Sequence, residues 1–242
     1  MNAHLEISNL VKKFGGLTAT NNMSFDVARG ESVGLIGPNG AGKTTVFSLI
    51  MGEHRQNSGS ISFDGTELTT LPTHQRINRG ISRTYQVPRP FSEMDVRGNI
   101  RVGLMPNSIW QMLTKRYDPD RELELALSVG FAESDLDKAP SELSMGDLRK
   151  LELARTLATN PEMILLDEVF AGLTVGEIAQ ITDLLQQKRE AGMSMVIVSH
   201  DLRSLQPLID RAVAITYGSV VAEGKYDDVI ADEAVRSAYL GL

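Results

Sequence analysis

The sequence contains no cysteine, which excludes disulfide bonds and thiolate metal sites. Long apolar runs are also absent: stretches such as residues 163–166 and 195–198 are far shorter than the roughly 20 residues of a membrane helix. The first residues have neither the basic region nor the apolar region of a secretory signal. We therefore expect no segment that spans a membrane and no export signal.

An excess of basic charge is the next missing feature. The 24 Lys and Arg residues are outnumbered by 31 Asp and Glu residues, which gives a formal charge of −7. Because sequence-independent binding of nucleic acid depends on neutralising phosphates, we expect no nucleic-acid partner.

The 242 residues, 42% of them hydrophobic, can bury a substantial core. No repeat, low-complexity tract or long linker divides the chain, so we expect one domain, 1–242.

Hydrophobic periodicity predicts an α/β fold. The last third alternates apolar strands (163–166, 195–198 and 212–216) with a helix that has Ile178, Ile181 and Leu185 on one face and ends at Gly192. Strands joined by helices of this length are typically parallel. The first third shows short strands and turns. Between about 87 and 140, prolines separate helical pieces, one of which Asp120 can cap with apolar positions at Leu123, Leu127 and Phe131.

A phosphate-binding loop follows the apolar strand at 32–36. Residues Gly37-Pro-Asn-Gly-Ala-Gly-Lys43-Thr44 match G-x-x-x-x-G-K-[ST], and residues 45–51 can form the helix that the motif requires. Glycines allow the backbone N–H groups to approach a polyphosphate, and the helix N-terminus adds positive potential. Lys43 would reach the β- and γ-phosphates and the Thr44 hydroxyl would bind Mg²⁺. The plain structural alternative is a glycine-rich turn before a helix.

Two adjacent carboxylates, Asp167 and Glu168, follow the strand at 163–166. In a parallel sheet this end of the strand is where ligands gather. Hydrolysis of a nucleoside triphosphate needs a carboxylate for Mg²⁺ and a group that orients or deprotonates water. Because adjacent residues on an extended chain point in different directions, we assign Asp167 to Mg²⁺ and Glu168 to the water.

The loop alone does not name an activity, because many unrelated proteins share it. The Asn-Lys-x-Asp element of GTPases is missing, since no Asn-Lys pair occurs. These residues do not distinguish this chain from a small-molecule kinase, which remains an alternative.

Further motifs, in a familiar order, resemble those of the ATPase subunits of ABC transporters over nearly the whole chain. After the loop (Walker A) come a Q-loop at 83–87, a signature Leu-Ser-Met-Gly-Asp at 143–147, a Walker B strand at 163–167, a D-loop at 171–174 and an H-loop histidine. The resemblance implies a P-loop NTPase with a RecA-like parallel core, an N-terminal antiparallel β part, an inserted helical subdomain (87–155) and a short C-terminal helix (228–240).

The resemblance also implies an enzyme that hydrolyses ATP with Mg²⁺ as a dimer, either of identical chains or of paralogues. ATP on Walker A of one subunit would be capped by the signature of the other. The implied catalytic residues are Glu168, His200, Gln86 and Lys43, and the implied metal ligands are Thr44, Gln86 and Asp167. The implied nucleotide-binding residues are Phe14 (against adenine), Gly37, Pro38, Asn39, Gly40, Ala41, Gly42, Lys43, Thr44, Thr45, Gln86 and, from the partner subunit, Ser144 and Gly146.

As partners, the resemblance implies integral membrane permease subunits, which the segment 87–99 would contact at the cytoplasmic face of the membrane. The sequence is most similar to ATPases of branched-chain amino acid importers, which would add a solute-binding protein. Urea or amide importers, lipopolysaccharide exporters and a non-transport ATP switch remain alternatives. The chain departs from the common pattern at Met145, Asp147, Val169 and Thr174, which puts the rate of dimer closure and hydrolysis in question. We expect the Asp147 side chain to point away from a triphosphate.

Overall fold

The computed structural model describes residues 3–106, 119–199 and 202–240. Its strands form two sheets. The first is antiparallel and contains, in spatial order, β2 (Leu17–Ala28), β1 (Ala3–Phe14), β4 (Ser58–Phe63) and β5 (Thr66–Glu67). The second contains β10 (Ser219–Gly224), β9 (Arg211–Thr216), β3 (Ser32–Ile36), β8 (Ser194–Val198), β7 (Met163–Asp167) and β6 (Ile81–Arg83).

The second sheet is parallel from β9 to β6, and β10 joins its edge antiparallel to β9. Its central strands are buried on both faces, which explains why they read as continuous apolar runs. In β7, for example, Met163 and Leu165 pack toward the antiparallel sheet, while Ile164 and Leu166 pack toward the helices on the opposite face. The predicted α/β class with a parallel core is confirmed.

The helices pack on the two faces of the parallel sheet and in the inserted segment. They are α1 (Lys43–Ile50), α2 (Thr73–Ile77), α3 (Val96–Leu104), α4 (Pro119–Ser128), α5 (Met145–Ala158), α6 (Val175–Glu190), α7 (Leu202–Leu205), α8 (Tyr226–Ala231) and α9 (Glu233–Leu240). Within the described ranges no helix combines the length and the apolar character needed to cross a membrane.

The helix predicted after Asp120 is present, but its first residue and its buried face differ from those expected. It begins at Pro119, so Asp120 lies inside its first turn rather than capping it, and Phe131 lies beyond its end. Leu127 is half exposed, whereas Leu125 and Ala126 are buried. The buried face, which packs against α3 and α5, contains residues 122, 125 and 126 rather than the residues expected.

The C-terminal segment predicted as one helix at 228–240 forms two, α8 and α9. The break is at Asp232, whose backbone is extended and whose carboxylate accepts hydrogen bonds from the N–H groups of Ala234 and Val235. This side chain caps α9 and so ends α8. The inserted segment 87–155 contains α3, α4 and most of α5, which continues to Ala158.

A buried arginine closes the C-terminal end of α1, the helix that follows the glycine loop. Arg76 is 2% exposed. Its Nη1 donates to the carbonyls of Leu49 (2.8 Å) and Ile50 (2.7 Å), and its Nε donates to the Leu71 carbonyl (2.8 Å). Leu49 and Ile50 end α1, where carbonyls lack the usual intrahelical donor, although the Leu49 carbonyl also accepts from the Gly52 N–H at 3.1 Å. Arg76 therefore ties α1 to the segment before α2.

We expect Arg76→Met to lower the free energy of unfolding by about 2–3 kcal/mol, because it removes the Arg76 hydrogen bonds to the Ile50 and Leu71 carbonyls and one of the two to the Leu49 carbonyl. Urea denaturation followed by circular dichroism measures this change. Arg79→Met is the matched control, since Arg79 is exposed and donates to the nearby Gln75 carbonyl. Equal effects of the two substitutions would contradict the proposed role of Arg76.

Candidate functional site

A cavity of about 490 Å³ lies at the carboxyl edge of the parallel sheet, where β3 leads into α1. Its volume is in the range of small-molecule sites. It is lined by Phe14, Leu17, Thr18, Ala19, Asn39, Gly40, Ala41, Gly42, Lys43, Thr44, Thr45, Gln86, Asp167, Glu168 and Val198. Residues far apart in sequence, most of them predicted as nucleotide or metal ligands, thus meet in one place.

The loop between β3 and α1 requires glycine at two positions. A Cβ at Gly37 would lie 2.2 Å from the Ile215 carbonyl oxygen, and one at Gly42 would lie 2.5 Å from the Ala19 carbonyl oxygen. Gly42 also has a φ of 109° and is the N-cap of α1, where it has no side chain to cover the first N–H groups of the helix. These N–H groups can therefore bind an anion.

Lys43 brings a positive charge to the same loop. It is 8% exposed, and its Nζ donates to the carbonyls of Gly37 (2.6 Å) and Pro38 (3.0 Å), at the start of the loop. Burial lowers the pKa of Lys43, and the nearby carboxylates of Glu168 and Asp167 oppose this effect. The ammonium group is thus already oriented by the backbone on the side where an anion would bind.

The backbone is not extended through both predicted carboxylates, as the expected alternation along a strand requires. Asp167 ends β7 and is 1% exposed, and its Oδ2 accepts a hydrogen bond from Arg83 Nη2 at 2.9 Å. Glu168 has a φ of 55°, in the left-handed region, and its N–H donates to the Val198 carbonyl at 2.9 Å. The chain turns at Glu168 instead of continuing as a strand, and both Asp167 and Glu168 line the cavity.

The donor set fits a magnesium ion that keeps several ligands from elsewhere. Among the described residues no group of three or more His, Cys, Asp or Glu forms a closed metal site. The cavity instead offers the Thr44 hydroxyl, the Asp167 carboxylate and the exposed amide of Gln86. Mg²⁺ is usually bound by one or two protein oxygens, with phosphates and water completing the shell.

The signature residues lie outside this cavity. Ser144 is exposed and is the N-cap of α5, where its Oγ accepts from the Asp147 N–H at 3.1 Å. Gly146 is buried against the D-loop, and a Cβ there would lie 3.1 Å from the Gly172 carbonyl oxygen. His200 falls outside the described residues.

The side chains that attach α5 to the Q-loop and to the residues just after it were not predicted from the sequence. Arg149 donates to the Gln86 carbonyl (2.7 Å), Glu152 accepts from the Tyr85 N–H (2.8 Å), and Arg155 donates to the Arg89 carbonyl (2.8 Å). The signal that was available is the recurrence of charged residues every three positions on a helix that is otherwise largely buried.

Glu152 is a buried acid that titrates near neutral pH. It is 4% exposed, and burial raises its pKa to about 7, although the Tyr85 N–H and the charges of Arg155 and Arg149 act in the opposite direction. Arg83, which was also not identified, joins Asp167 to Glu53 and Ser48.

Residues 20–171 match the family described as ABC transporter. Residues 219–241 match the family described as branched-chain amino acid ATP-binding cassette transporter. Together these two matches cover most of the chain.

Relatives with similar overall length match nearly the whole sequence. The lipopolysaccharide export system ATP-binding protein LptB of Escherichia coli strain K12 is 35% identical over 239 residues, which cover 99% of this chain and 98% of LptB. The high-affinity branched-chain amino acid transport ATP-binding protein LivG of Salmonella typhimurium is 33% identical, with 98% and 97% covered. The structure of a nucleotide-free ATP-binding cassette from an ABC transporter superposes with a TM-score of 0.87 at 28% identity, with 100% of both chains covered.

The raised pKa of Glu152 predicts an unusual dependence of stability on pH. Because the folded chain holds this proton up to about pH 7 and the unfolded chain releases it near pH 4.5, stability falls as the pH rises through that interval. Glu152→Gln keeps the acceptor for the Tyr85 N–H and removes the titration. We expect it to be more stable than the parent by up to about 3 kcal/mol at about pH 8, with the difference vanishing near pH 4.5.

Urea denaturation at a series of pH values measures this difference. Glu190→Gln, at the exposed end of α6, is the control and should change stability little at any pH. A difference between Glu152→Gln and the parent that stays constant with pH would rule out the titration of Glu152 as its cause.

Proposed function

Because this chain belongs to the ABC transporter family and is one of its ATP-hydrolysing subunits, we propose that it binds MgATP in the cavity at the carboxyl edge of the parallel sheet and powers the import of branched-chain or related amino acids. The observation that carries the site assignment is the convergence of Lys43, Asp167 and Glu168 on one cavity beside the free N-terminus of α1. Phosphate, cation and water each have a suitable group there.

Different residues of the chain have different roles in ATP binding and hydrolysis. The backbone of 37–45 and the Lys43 ammonium would hold the triphosphate, and the exposed ring of Phe14, which lines the cavity, would stack on the base. Thr44, Asp167 and Gln86 would hold Mg²⁺, which when bound neutralises charge on the phosphates. Glu168 would orient water and accept its proton. His200 keeps the catalytic role that the resemblance implies.

A second ATPase subunit would complete the site. Ser144 and Gly146 lie at the N-terminus of α5, outside the cavity of their own chain, where N–H groups and a positive helix end suit a phosphate on a facing subunit. Met145 (57% exposed) and Val175 (86% exposed) add apolar surface beside the signature and the D-loop. Loss of the γ-phosphate would remove the bridge and loosen the dimer.

The segment after Gln86 supplies the surface for permease subunits in the membrane. Val87, Phe91 and Met94 are exposed by 67%, 46% and 42%, and this apolar surface adjoins the Q-loop. Apolar side chains grouped on a surface are typical of protein–protein contacts. Docking there would place this chain at the cytoplasmic face of the membrane as a peripheral subunit.

The match at residues 219–241 favours amino acids as the cargo, and import would involve a solute-binding protein. Lipopolysaccharide export is the second candidate, because LptB is as similar to the chain as LivG is. Uptake of labelled leucine in cells that lack the chain distinguishes them. Lost uptake with normal lipopolysaccharide at the cell surface supports import, whereas the reverse pattern supports export.

We expect Glu168→Gln to bind ATP, to reduce turnover at least about 100-fold and to form a dimer that ATP stabilises, because the amide cannot accept the proton from water. Phosphate release and sedimentation with ATP measure these effects. Glu190→Gln is the control. Normal turnover in Glu168→Gln would overturn the assignment of the general base.

We expect Lys43→Ala to weaken ATP binding by about ten- to 100-fold, because it removes a charge-assisted contact with the phosphates. Equilibrium binding of a fluorescent ATP analogue measures the affinity. Lys138→Ala removes a lysine that pairs on the surface with Asp135 and serves as the control. Unchanged affinity in Lys43→Ala would mean that the phosphates bind elsewhere.

We expect Phe91→Asp to abolish recovery of the chain with integral membrane partners from detergent extracts, because it places a charge in the apolar surface. Leu127→Asp is matched in exposure, at 49% against 46% for Phe91, and lies on α4. Parent protein found without any integral partner would favour a non-transport ATP switch, and equal loss in both variants would point to unfolding.

A further inference from the structure

The signature of this chain has an aspartate, Asp147, that engages the hydroxyl group of Ser144. Ser144 Oγ donates to Asp147 Oδ2 at 2.7 Å and accepts from the Asp147 N–H at 3.1 Å. An ionised carboxylate only accepts hydrogen bonds, and a serine hydroxyl has a single proton to donate. In this arrangement the proton of Ser144 is committed to Asp147.

Asp147 is also held through its other carboxylate oxygen. Its Oδ1 lies 2.8 Å from Lys150 Nζ, and the same ammonium lies 2.6 Å from Glu177 Oε1. The Lys150 side chain is only 8% exposed, whereas those of Asp147 and Glu177 are 32% and 28% exposed. Since Lys150 contacts two carboxylates at once, its charge anchors both of them.

The chain of contacts ends in the D-loop. Glu177 Oε2 accepts from the N–H and from the hydroxyl of Thr174, both at 2.8 Å, so that Thr174 and Glu177 form a reciprocal cap on α6. Burial raises the pKa of Asp147, but the hydrogen bonds from Lys150 and Ser144 outweigh it and lower the pKa below the ordinary aspartate value. Asp147 is therefore an anion at neutral pH and accepts the Ser144 proton as such.

We propose that Asp147, anchored by Lys150 and Glu177, withholds the Ser144 hydroxyl proton from the γ-phosphate of ATP bound to the facing subunit and so sets the ATP concentration at which the dimer closes. The inference rests on the proposed function, in which Ser144 caps that phosphate. Asp147 acts through Ser144 and is thus a positioning residue. Closure requires the hydroxyl to rotate from one anion to another, and the carboxylate is a strong competitor.

The test measures ATP-dependent dimerisation by sedimentation velocity, with Glu168→Gln as the background so that ATP is not consumed. We expect Asp147→Ala to lower the ATP concentration for half-maximal dimerisation about tenfold, which corresponds to about 1.4 kcal/mol. Asp147→Asn removes the charge but keeps a neutral acceptor for the hydroxyl, so its effect should fall between those of the parent and Asp147→Ala. Equal shifts for Ala and Asn would identify plain charge repulsion and overturn the role assigned to the proton.

Asp135→Ala is the matched control, because Asp135 pairs with Lys138 at the same i,i+3 spacing (2.7 Å) and its carboxylate accepts from the backbone N–H of Ala132, not from Ser144. It should leave the ATP dependence unchanged. In a Ser144→Ala background the Asp147→Ala substitution should also have no effect, and a persisting tenfold shift would contradict action through Ser144. Thermal melting of every variant checks that it remains folded.

These measurements distinguish a failure of the proposed function from a failure of the role assigned to Asp147. If Glu168→Gln does not dimerise with ATP at any concentration, the proposed function fails. If it dimerises and Asp147→Ala leaves the ATP dependence unchanged, only the role of Asp147 fails.

Discussion

A positive charge held by the backbone before any phosphate arrives is the interaction on which this structure depends. The Lys43 ammonium is buried and bonded to the carbonyls of Gly37 and Pro38. That arrangement exists because β3 runs into a loop where glycine alone fits at 37 and 42. A donor that is already oriented loses little freedom when its ligand binds, and its electrostatic effect is strengthened by the low dielectric around it.

The helix α5 connects this site to the rest of the inserted segment. Ser144 is at its beginning, and Arg149, Glu152 and Arg155 bind the backbone of 85–89 along its side. A displacement of the Q-loop would therefore be transmitted to α5, and with α5 to Ser144 at its N-terminus. Helices that shift as rigid bodies on packed contacts are a common way of transmitting such a change.

Features that depend on residues close together in the sequence were predicted better than features that depend on distant segments. Four strands of the parallel sheet (β3, β7, β8 and β9) and the turn at Gly192, which has a φ of 97°, follow from local patterns and were predicted closely. The short edge strand β6 was not predicted. The meeting of Lys43, Asp167 and Glu168 followed from motif order and from the rule that ligands gather at the carboxyl edge of parallel strands.

Other features depend on packing between distant segments, which a linear pattern does not contain. Arg76 and Glu152 are charged residues on helices, where exposure is the usual expectation, yet each is buried because another segment supplies its hydrogen-bond partners. The break at Asp232 was local but ambiguous, since an aspartate can sit within a helix or cap the next one. The left-handed backbone of Glu168 has no signature in residue type.

The pairing of Arg83 with Asp167 has a consequence for how the chain matures. A carboxylate buried to this degree is costly without a counter-charge, and the guanidinium of Arg83 provides one from within the chain at 2.9 Å. The acidic end of β7 can consequently assemble without waiting for a divalent ion. A newly synthesised subunit can thus fold before any divalent ion binds.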